Sequence, residues 1–340
     1  MRIIIIGSTQ IGSSDAALLM MKGFERQGCR TRFISLAEDE PLTGKLGHSL
    51  GCEKFRHNRL SRYLLKTIVR FKPDVVYLHG SNTCLHPRDI VRIKDRLGCS
   101  IVLWELNQRQ LRQGGKQMEA MSLYDHVFAL DSYMLPIFKI LGAKNVHHLP
   151  ACADGEEHFP IQLSPGLEKR YRAEISFIGT ASPGRVELLS YVRHRDLKIY
   201  GKSWPVSGFS CAENISSEPV YGLKKTIIYS ASRISFHLER FHMVSGVNFR
   251  VFEVAACAGV VFAKKTDDLL ASFKPGKEVV LFENGPDLRD KADYYLSHPE
   301  ILRDIGRAAR QRVLREHTYE HRVKRVLEEI AGEPAVRKAK

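Results

Sequence analysis

The sequence has no run of about 18 apolar residues, the length that a membrane-spanning helix needs. The apolar run at residues 3–6 is too short for the core of a signal peptide and leads straight into a glycine turn. The seven cysteines are odd in number and never follow a C-x-x-C spacing, which argues against a disulfide framework and against zinc or redox pairs. We therefore expect a cytoplasmic protein with reduced thiols.

Acidic residues are scarce relative to basic ones. The chain has 38 Asp and Glu against 52 Lys and Arg, a formal net charge of +14. This excess favours an anionic partner, and a phosphate-bearing substrate, an anionic membrane face or nucleic acid would satisfy it. Much of the charge lies in the helical segments 56–70 and 303–325, where a solvated basic face is the alternative interpretation. No basic stripe interleaved with aromatic residues is evident, so we do not expect nucleic acid to be the partner.

The 340 residues, 44% of them apolar and 26% charged, suffice for two soluble domains. Buried strands alternate with helices from residue 1 to residue 149, and the alternation restarts at residue 175. This order predicts an α/β fold with two doubly wound parallel sheets, covered by helices on both faces. Because such domains bind ligands at the carboxyl ends of their strands, we expect the two domains to face each other across a cleft.

A segment rich in proline, glycine and charge, residues 151–171, has no clear periodicity and is interpreted as the link between the domains. The predicted boundaries are residues 1–155 for the first domain and 156–318 for the second. Residues 319–340 are predicted to form a helix at the domain junction and a frayed tail.

One candidate anion site is the segment SGVNFRVFEVAACAG at residues 245–259, a small polar loop that runs into a helix. The first amides of a helix lack partners and lie at its positive end, which suits a diphosphate. The candidate residues are Gly246, Val247, Asn248, Arg250 and Glu253. Arg250 would neutralise phosphate charge, and Glu253 lies about one turn inside the helix. The alternative is that Arg250 and Glu253 merely flank a helix.

A second glycine turn, TASPGR after the strand at residues 175–179, also precedes a helix. Backbone amides at Gly179 and Thr180 would approach a phosphate closely, and Arg185 would add a bidentate clamp. The alternative for Arg185 is a surface arginine at the start of a helix.

The string NFRVFEVAACAGVVF resembles the donor-binding helix of B-fold (GT-B) glycosyltransferases. Further pieces resemble the CgeB-like family, in order: PDVVYLHG, YDHVFALDSY, LGAKNVHHLPACAD, ISFIGTASPGRVELL, YGKSWP, IIYSASRISFHLE, FKPGKEVVLF and HTYEHRV. Together they cover most of residues 73–327. The resemblance implies a GT-B fold with two Rossmann-like domains and transfer of a sugar from a nucleotide diphosphate donor. The second domain would hold the donor and the first a glycan, lipid-linked or protein acceptor of the envelope.

The resemblance also implies roles for particular residues. Glu253 would bind the ribose, and Lys202 and Trp204 would lie beside the nucleobase. Many retaining relatives have a second glutamate eight positions earlier, where this chain has Ser245. That departure leaves the donor sugar and the stereochemistry open, and it motivates an alternative function as a catalytically inactive sugar-nucleotide binding or scaffold protein.

Three side chains of the first half are candidates for the base that deprotonates an acceptor hydroxyl. His79 follows the strand at residues 74–78, and its ordinary pKa near 6.5 suits the task. Asp15 and Glu105 compete with it, and a structural histidine is the alternative. The turn at residues 7–12 lacks the third glycine of a dinucleotide fingerprint, and Asp39 is a poor ribose-binding acid.

We expect neither a metal nor another cofactor. The chain has no Asp-x-Asp pair of the kind that holds a divalent ion on a sugar diphosphate. His147 with His148, and His317 with His321, offer no evident third ligand for zinc. Helix amides and basic side chains would stabilise the leaving diphosphate instead.

Overall fold

The computed structural model describes residues 1–7, 16–35, 53–80, 85–106, 116–205, 214–238 and 243–332, without the side chains of 53–60 and 116–117. The chain forms two units. The first contains Met1–Pro150, His242–Val244 and Tyr319–Lys340, and the second contains Ala151–Phe241 and Ser245–Thr318. The first division therefore falls between Pro150 and Ala151, before the boundary proposed from the sequence.

The first unit is a six-stranded parallel sheet in the order β2-β1-β3-β4-β5-β6. Its strands are β1 (Arg2–Gly7), β2 (Arg30–Ser35), β3 (Val75–His79), β4 (Ser100–Glu105), β5 (His126–Ala129) and β6 (Asn145–His148). Its helices are α1 (Ala16–Arg26), α2 (Glu53–Phe71), α3 (Pro87–Leu97), α4 (Lys116–Ala120) and α5 (Leu135–Ile140), and α13 (Tyr319–Ala331) returns to it from the end of the chain.

Both faces of this sheet are covered, as an unbroken apolar strand requires. The four isoleucines of β1 are fully buried. Leu64 and Ile68 of α2 and Ile90 and Ile93 of α3 belong to one core cluster with alternate residues of β1 and β3. α13 packs on α1, where a Cβ at Gly23 would meet Val323 at 2.9 Å. The helix that the sequence placed at the domain junction is thus part of the first unit.

The second unit is also a six-stranded parallel sheet, in the order β12-β11-β10-β7-β8-β9. Its strands are β7 (Ala173–Ile178), β8 (Leu197–Tyr200), β9 (Ile215–Ser216), β10 (Ser232–His237), β11 (Val260–Lys264) and β12 (Val280–Phe282). Its helices are α6 (Pro165–Tyr171), α7 (Pro183–Ser190), α8 (Leu223–Ala231), α9 (Phe249–Ala256), α10 (Asp267–Ser272), α11 (Gly285–Leu296) and α12 (Pro299–Glu316). The strand order reverses between β7 and β10, which makes this the topological switch point.

Residues 151–171, interpreted from the sequence as the link between the domains, belong to the second unit. Ala151, Cys152, Ala153 and Asp154 are fully buried in the second unit, and residues 165–171 form α6, whose first turn is capped by Ser164. The short elements α4, α6 and β9 escape sequence analysis because they are too short to establish a period. The other strands and helices predicted from the sequence are present in the described residues, with ends that differ by a few residues. No helix among the described segments is both long and apolar enough to cross a membrane.

The loops that follow β7 and β8 run in unusually close contact. Gly179 donates its amide to the carbonyl of Tyr200 at 2.8 Å, and Ala181 donates to that of Lys202 at 3.0 Å. A Cβ at Gly201 would overlap the carbonyl oxygen of Gly179, so this position requires glycine.

We expect Gly201→Ala to lower the free energy of unfolding by about 1–3 kcal/mol, because the backbone of one loop must move. Gly166→Ala is the control, since a Cβ there meets nothing within 4 Å and lies in the first turn of α6. Urea unfolding of both variants measures the difference. Equal stability of the two variants would contradict the tight approach of the loops.

Candidate functional site

A cavity of about 640 Å³ opens in the second unit at the carboxyl ends of β7, β10 and β11. It therefore lies at the switch point, where open α/β sheets bind their ligands. The described residues that line it include no carboxylate. They are Thr180, Ala181, Ser182, Pro183, Gly184, Arg185, Leu188, His237, Leu238, Gly246, Val247, Ala263, Lys264, Thr266 and Leu269. The sequence analysis had selected four of them: Thr180, Arg185, Gly246 and Val247.

The start of α7 forms one wall of this cavity. Pro183 occupies the first helical position, and the hydroxyl of Ser182 makes no cap hydrogen bond. A Cβ placed on Gly184 would meet nothing within 4 Å, so an incoming group can reach the backbone there. The positive end of a helix with an accessible backbone suits an anionic group.

Arg185, predicted from the sequence as a bidentate phosphate clamp, donates hydrogen bonds to main-chain carbonyls in the structure. Its side chain is buried, with the guanidinium 5.3 Å above the ring of Phe177. Nε donates to the carbonyl of Leu238 at 3.0 Å, and Nη1 donates to that of Thr180 at 2.9 Å. Arg185 therefore joins the loops after β7 and β10 and fixes the cavity from both sides of the switch point.

Lys264 is a cavity cation that sequence analysis missed. It is the last residue of β11, it is exposed, and it lines the cavity. No described residue forms an ion pair or a hydrogen bond with its ammonium group. The sequence could have identified Lys264, because it is a lysine at the end of an apolar strand, where parallel sheets expose their ligand-binding residues.

The helix predicted after the polar loop at residues 245–248 is present as α9. Asn248 caps it, because its Oδ1 accepts a hydrogen bond from the amide of Arg250 at 3.1 Å. Gly246 and Val247 line the cavity, whereas Arg250 and Glu253 do not. Arg250 lines a much smaller cavity of about 10 Å³ with Tyr229 and other residues.

Glu253 is buried and forms an ion pair. Its Oε1 accepts a hydrogen bond from Nζ of Lys225 on α8 at 2.6 Å, and Nε2 of His158 lies 3.8 Å away. Burial by itself raises the pKa of Glu253, but the charges of Lys225, His158 and Arg250 outweigh it and hold the pKa below its ordinary value. Oε2 is buried without a hydrogen-bond partner among the described residues, so it can accept one from a ligand that reaches it.

Gly179 and Trp204 fix the loops behind the cavity. Trp204 is buried against Phe177, with ring centroids 5.5 Å apart, and its Nε1 donates to the carbonyl of Gly179 at 2.8 Å. The indole is therefore not displayed for stacking on a nucleobase. Lys202 is exposed.

The candidate bases of the first unit lie at strand ends. His79 ends β3 beside β1, where the order of the first sheet reverses, and Glu105 ends the neighbouring strand β4. Neither ring nitrogen of His79 has a hydrogen-bond partner among the described residues, and burial lowers the pKa of the imidazole to about 3. The ring packs edge-on against Trp104 at 5.3 Å. Asp15, Asp39 and residues 8–12 of the first glycine turn lie outside the described residues.

Glu105 is buried at the end of β4. Burial and the nearby Glu105 raise the pKa of Tyr124. Within the described part of the chain, no three His, Cys, Asp or Glu side chains are placed to hold a metal ion. His147 lies 3.4 Å from Glu329 and also from His126, and His317 is buried between Phe252 and Phe273.

Two Rossmann-like parallel sheets, the second with a cavity at its switch point, define a protein of the GT-B fold. Residues 185–328 match the glycosyl transferase-like family. Spore protein CgeB of Bacillus subtilis is 22% identical over 204 residues, which cover 54% of this chain and about three fifths (61%) of that protein. The second unit thus matches a glycosyl transferase-like family, and the chain is similar to spore protein CgeB, the family that its motifs resemble.

Solved structures confirm the fold. A sucrose-phosphate synthase from Thermosynechococcus elongatus has a TM-score of 0.73 at 11% identity and covers 97% of this chain and 98% of that one. Anabaena HepE in complex with UDP-glucose has a TM-score of 0.69 at 11% identity and covers 98% and 100%.

The ion pair of Glu253 predicts how stability depends on pH. Because its pKa is lowered in the folded state, the carboxylate stabilises the wild type above its ordinary pKa, and this stabilisation is lost as the pH falls through the folded pKa. Lys225→Met leaves a buried unpaired carboxylate, so we expect a loss of about 3–5 kcal/mol in the free energy of unfolding at pH 7.

That loss should shrink as the pH falls from 7 toward the ordinary glutamate pKa of about 4, because without Lys225 burial raises the pKa of the carboxyl and protonates it in the folded variant. Urea unfolding between pH 4 and 7 follows both proteins, with Lys225→Met/Glu253→Gln as the control that recovers most of the loss. A penalty independent of pH would mean that Lys225 acts only through packing.

Proposed function

We propose that this protein is a metal-independent glycosyltransferase of the hexosyltransferase type (EC 2.4), which moves a sugar from a nucleoside diphosphate donor. The acceptor is a polysaccharide, a lipid-linked glycan or a protein of the cell envelope. Such an acceptor would bring the cytoplasmic protein to the inner face of the membrane. The observation that carries the proposal is the 640 Å³ cavity without carboxylates at the switch point of the second unit.

The walls of the cavity suit a diphosphate. The start of α7, with its accessible backbone at Gly184, and the exposed Lys264 line the same cavity, whose described lining residues include no carboxylate. These groups would stabilise charge on the departing diphosphate, which is the contribution that preorganised amides and cations make to catalysis. The binding of UDP-glucose by the structural relative HepE makes uridine the first base to test.

Glu253 and Arg250 have supporting roles in this proposal. Glu253 would accept the ribose hydroxyls through Oε2, whose lack of a described partner supports the assignment. Arg250 lies on the same helix and contributes to the lowered pKa of Glu253. His79 is the candidate base of the first unit, because neither ring nitrogen has a described hydrogen-bond partner and a neutral imidazole has a free lone pair. Its pKa of about 3, rather than the ordinary 6.5, makes it a weaker base than the sequence predicted.

An inactive sugar-nucleotide binding or scaffold protein of the same fold is the alternative. It is favoured by Ser245, which stands where many retaining relatives have an acid. Release of nucleoside diphosphate from a panel of nucleotide sugars, abolished in Glu253→Ala and Arg250→Ala, would exclude it. Binding without turnover of any donor or acceptor would support it.

Titration calorimetry with UDP, GDP, CDP and dTDP tests the donor site. We expect one diphosphate to bind, and Lys264→Gln to weaken its Kd about tenfold, because a charged hydrogen bond to phosphate is lost. The parent nucleoside should bind both proteins equally. Lys277→Gln, which replaces another exposed lysine of the second unit outside the cavity lining, should change Kd by about twofold or less.

No binding of any diphosphate would exclude the donor proposal itself. Binding that Lys264→Gln leaves unchanged would exclude only the phosphate role of Lys264.

The base is tested by pH profiles of kcat/KM. His79→Gln should reduce kcat/KM by about 10²–10⁴-fold. Because burial lowers the pKa of His79 to about 3, the imidazole stays neutral from pH 5 to 8, and the wild-type profile should show no inflection near 6.5 from this residue. Glu105→Gln and Asp15→Asn are matched variants, and a larger loss in either one would reassign the base.

A further inference from the structure

The first unit has a strongly basic surface on the helix layer formed by α2 and α3. Both helices pack on the same side of the sheet, because Leu64 and Ile68 share one core cluster with Ile90 and Ile93. Ser61 of α2 also donates to the buried carboxylate of Asp89 on α3 at 2.5 Å. The outward sides of the two helices therefore form one continuous surface, which we call the α2–α3 face.

Cations follow each helix of this face at intervals of four residues. Exposed Arg62, Lys66 and Arg70 form a stripe on α2, and exposed Arg88, Arg92 and Arg96 form a second stripe on α3. Residues four apart lie on the same side of a helix, so each stripe extends about 12 Å. Among the described side chains of these two helices, Asp95 is the one exposed acidic residue.

Two large, partly exposed apolar side chains lie beside these cations. Tyr63 is 41% exposed beside the first stripe, and Val91 is 42% exposed beside the second. The combination of Lys and Arg with a tyrosine and an aliphatic side chain is typical of surfaces that rest at the boundary between lipid headgroups and acyl chains.

We propose that the α2–α3 face docks on an anionic lipid bilayer. Its charge complements a surface of anionic headgroups, and the two stripes on adjacent helices extend the basic area across one helix layer. Tyr63 and Val91 enter the headgroup layer, while the six cations contact the lipid phosphates. The face belongs to the first unit, and the docking is independent of nucleotide binding in the second.

Co-sedimentation of the full-length protein with vesicles tests this proposal. We expect binding to vesicles that contain phosphatidylglycerol, weak binding to pure phosphatidylcholine, and a decrease with added salt. Lys66→Gln/Arg70→Gln/Arg96→Gln should lower the partition coefficient about a hundredfold, from a contribution of about fivefold for each cation.

The matched control removes the same charge from the second unit. Lys274→Gln/Lys277→Gln/Arg303→Gln replaces three other exposed cations and should change the partition coefficient by about threefold or less. Tyr63→Ser/Val91→Ser should also weaken binding, and that loss should persist in high salt. Retained diphosphate binding and unchanged thermal melting show that each variant is folded.

Three results would overturn the proposal. The first is no binding to anionic vesicles, which would leave the face as a solvated surface. The second is an equal loss in the control variant, which would mean that net charge alone acts. The third is tighter binding of duplex DNA or RNA than of vesicles at the same salt concentration, with the same dependence on the α2–α3 face, which would identify nucleic acid as the partner.

Discussion

The buried guanidinium of Arg185 holds together the loops on which the candidate site depends. Its donors reach the carbonyls of Thr180 after β7 and of Leu238 after β10, the two strands between which the order of the sheet reverses. A parallel sheet opens a crevice at such a point, but the crevice keeps its shape only if the loops are fixed. Arginine suits this position because it can donate to two carbonyls and stack on Phe177 at once.

Behind these loops, the main chain is closely packed around Gly179. Two contacts fix the backbone of the cavity wall. Any side chain at Gly201 would overlap Gly179, and Trp204 donates a hydrogen bond to the carbonyl of Gly179. In front of them the cavity is open, and Lys264 faces it without a described partner. The rigid part of the site is therefore main chain and buried side chains, and its charge comes from an exposed lysine.

The sequence alone predicted the strands and helices well, because apolar runs bounded by glycine and proline identify buried parallel strands. It also identified Thr180, Gly246 and Val247, which follow strands or precede helices in regular βα units and so must lie near strand ends. It did not predict the hydrogen bonds of Arg185 to main-chain carbonyls, because spacing shows that an arginine begins a helix but not which groups its guanidinium meets. Residues 151–171 were misread for a related reason, since burial of Ala151–Asp154 depends on distant elements.

What the sequence determined by itself is the local pattern: two series of alternating strands and helices, the glycine turns, and the ordered motifs of the CgeB-like family. Only the tertiary structure decided which of these residues meet. The pairing of Glu253 with Lys225, 28 positions away, and the two cation stripes brought side by side on α2 and α3 are examples. The physical reason is that periodicity depends on residues close together in the sequence. Burial, ion pairing and shared surfaces depend on residues that come into contact only when the sheet and its helices pack.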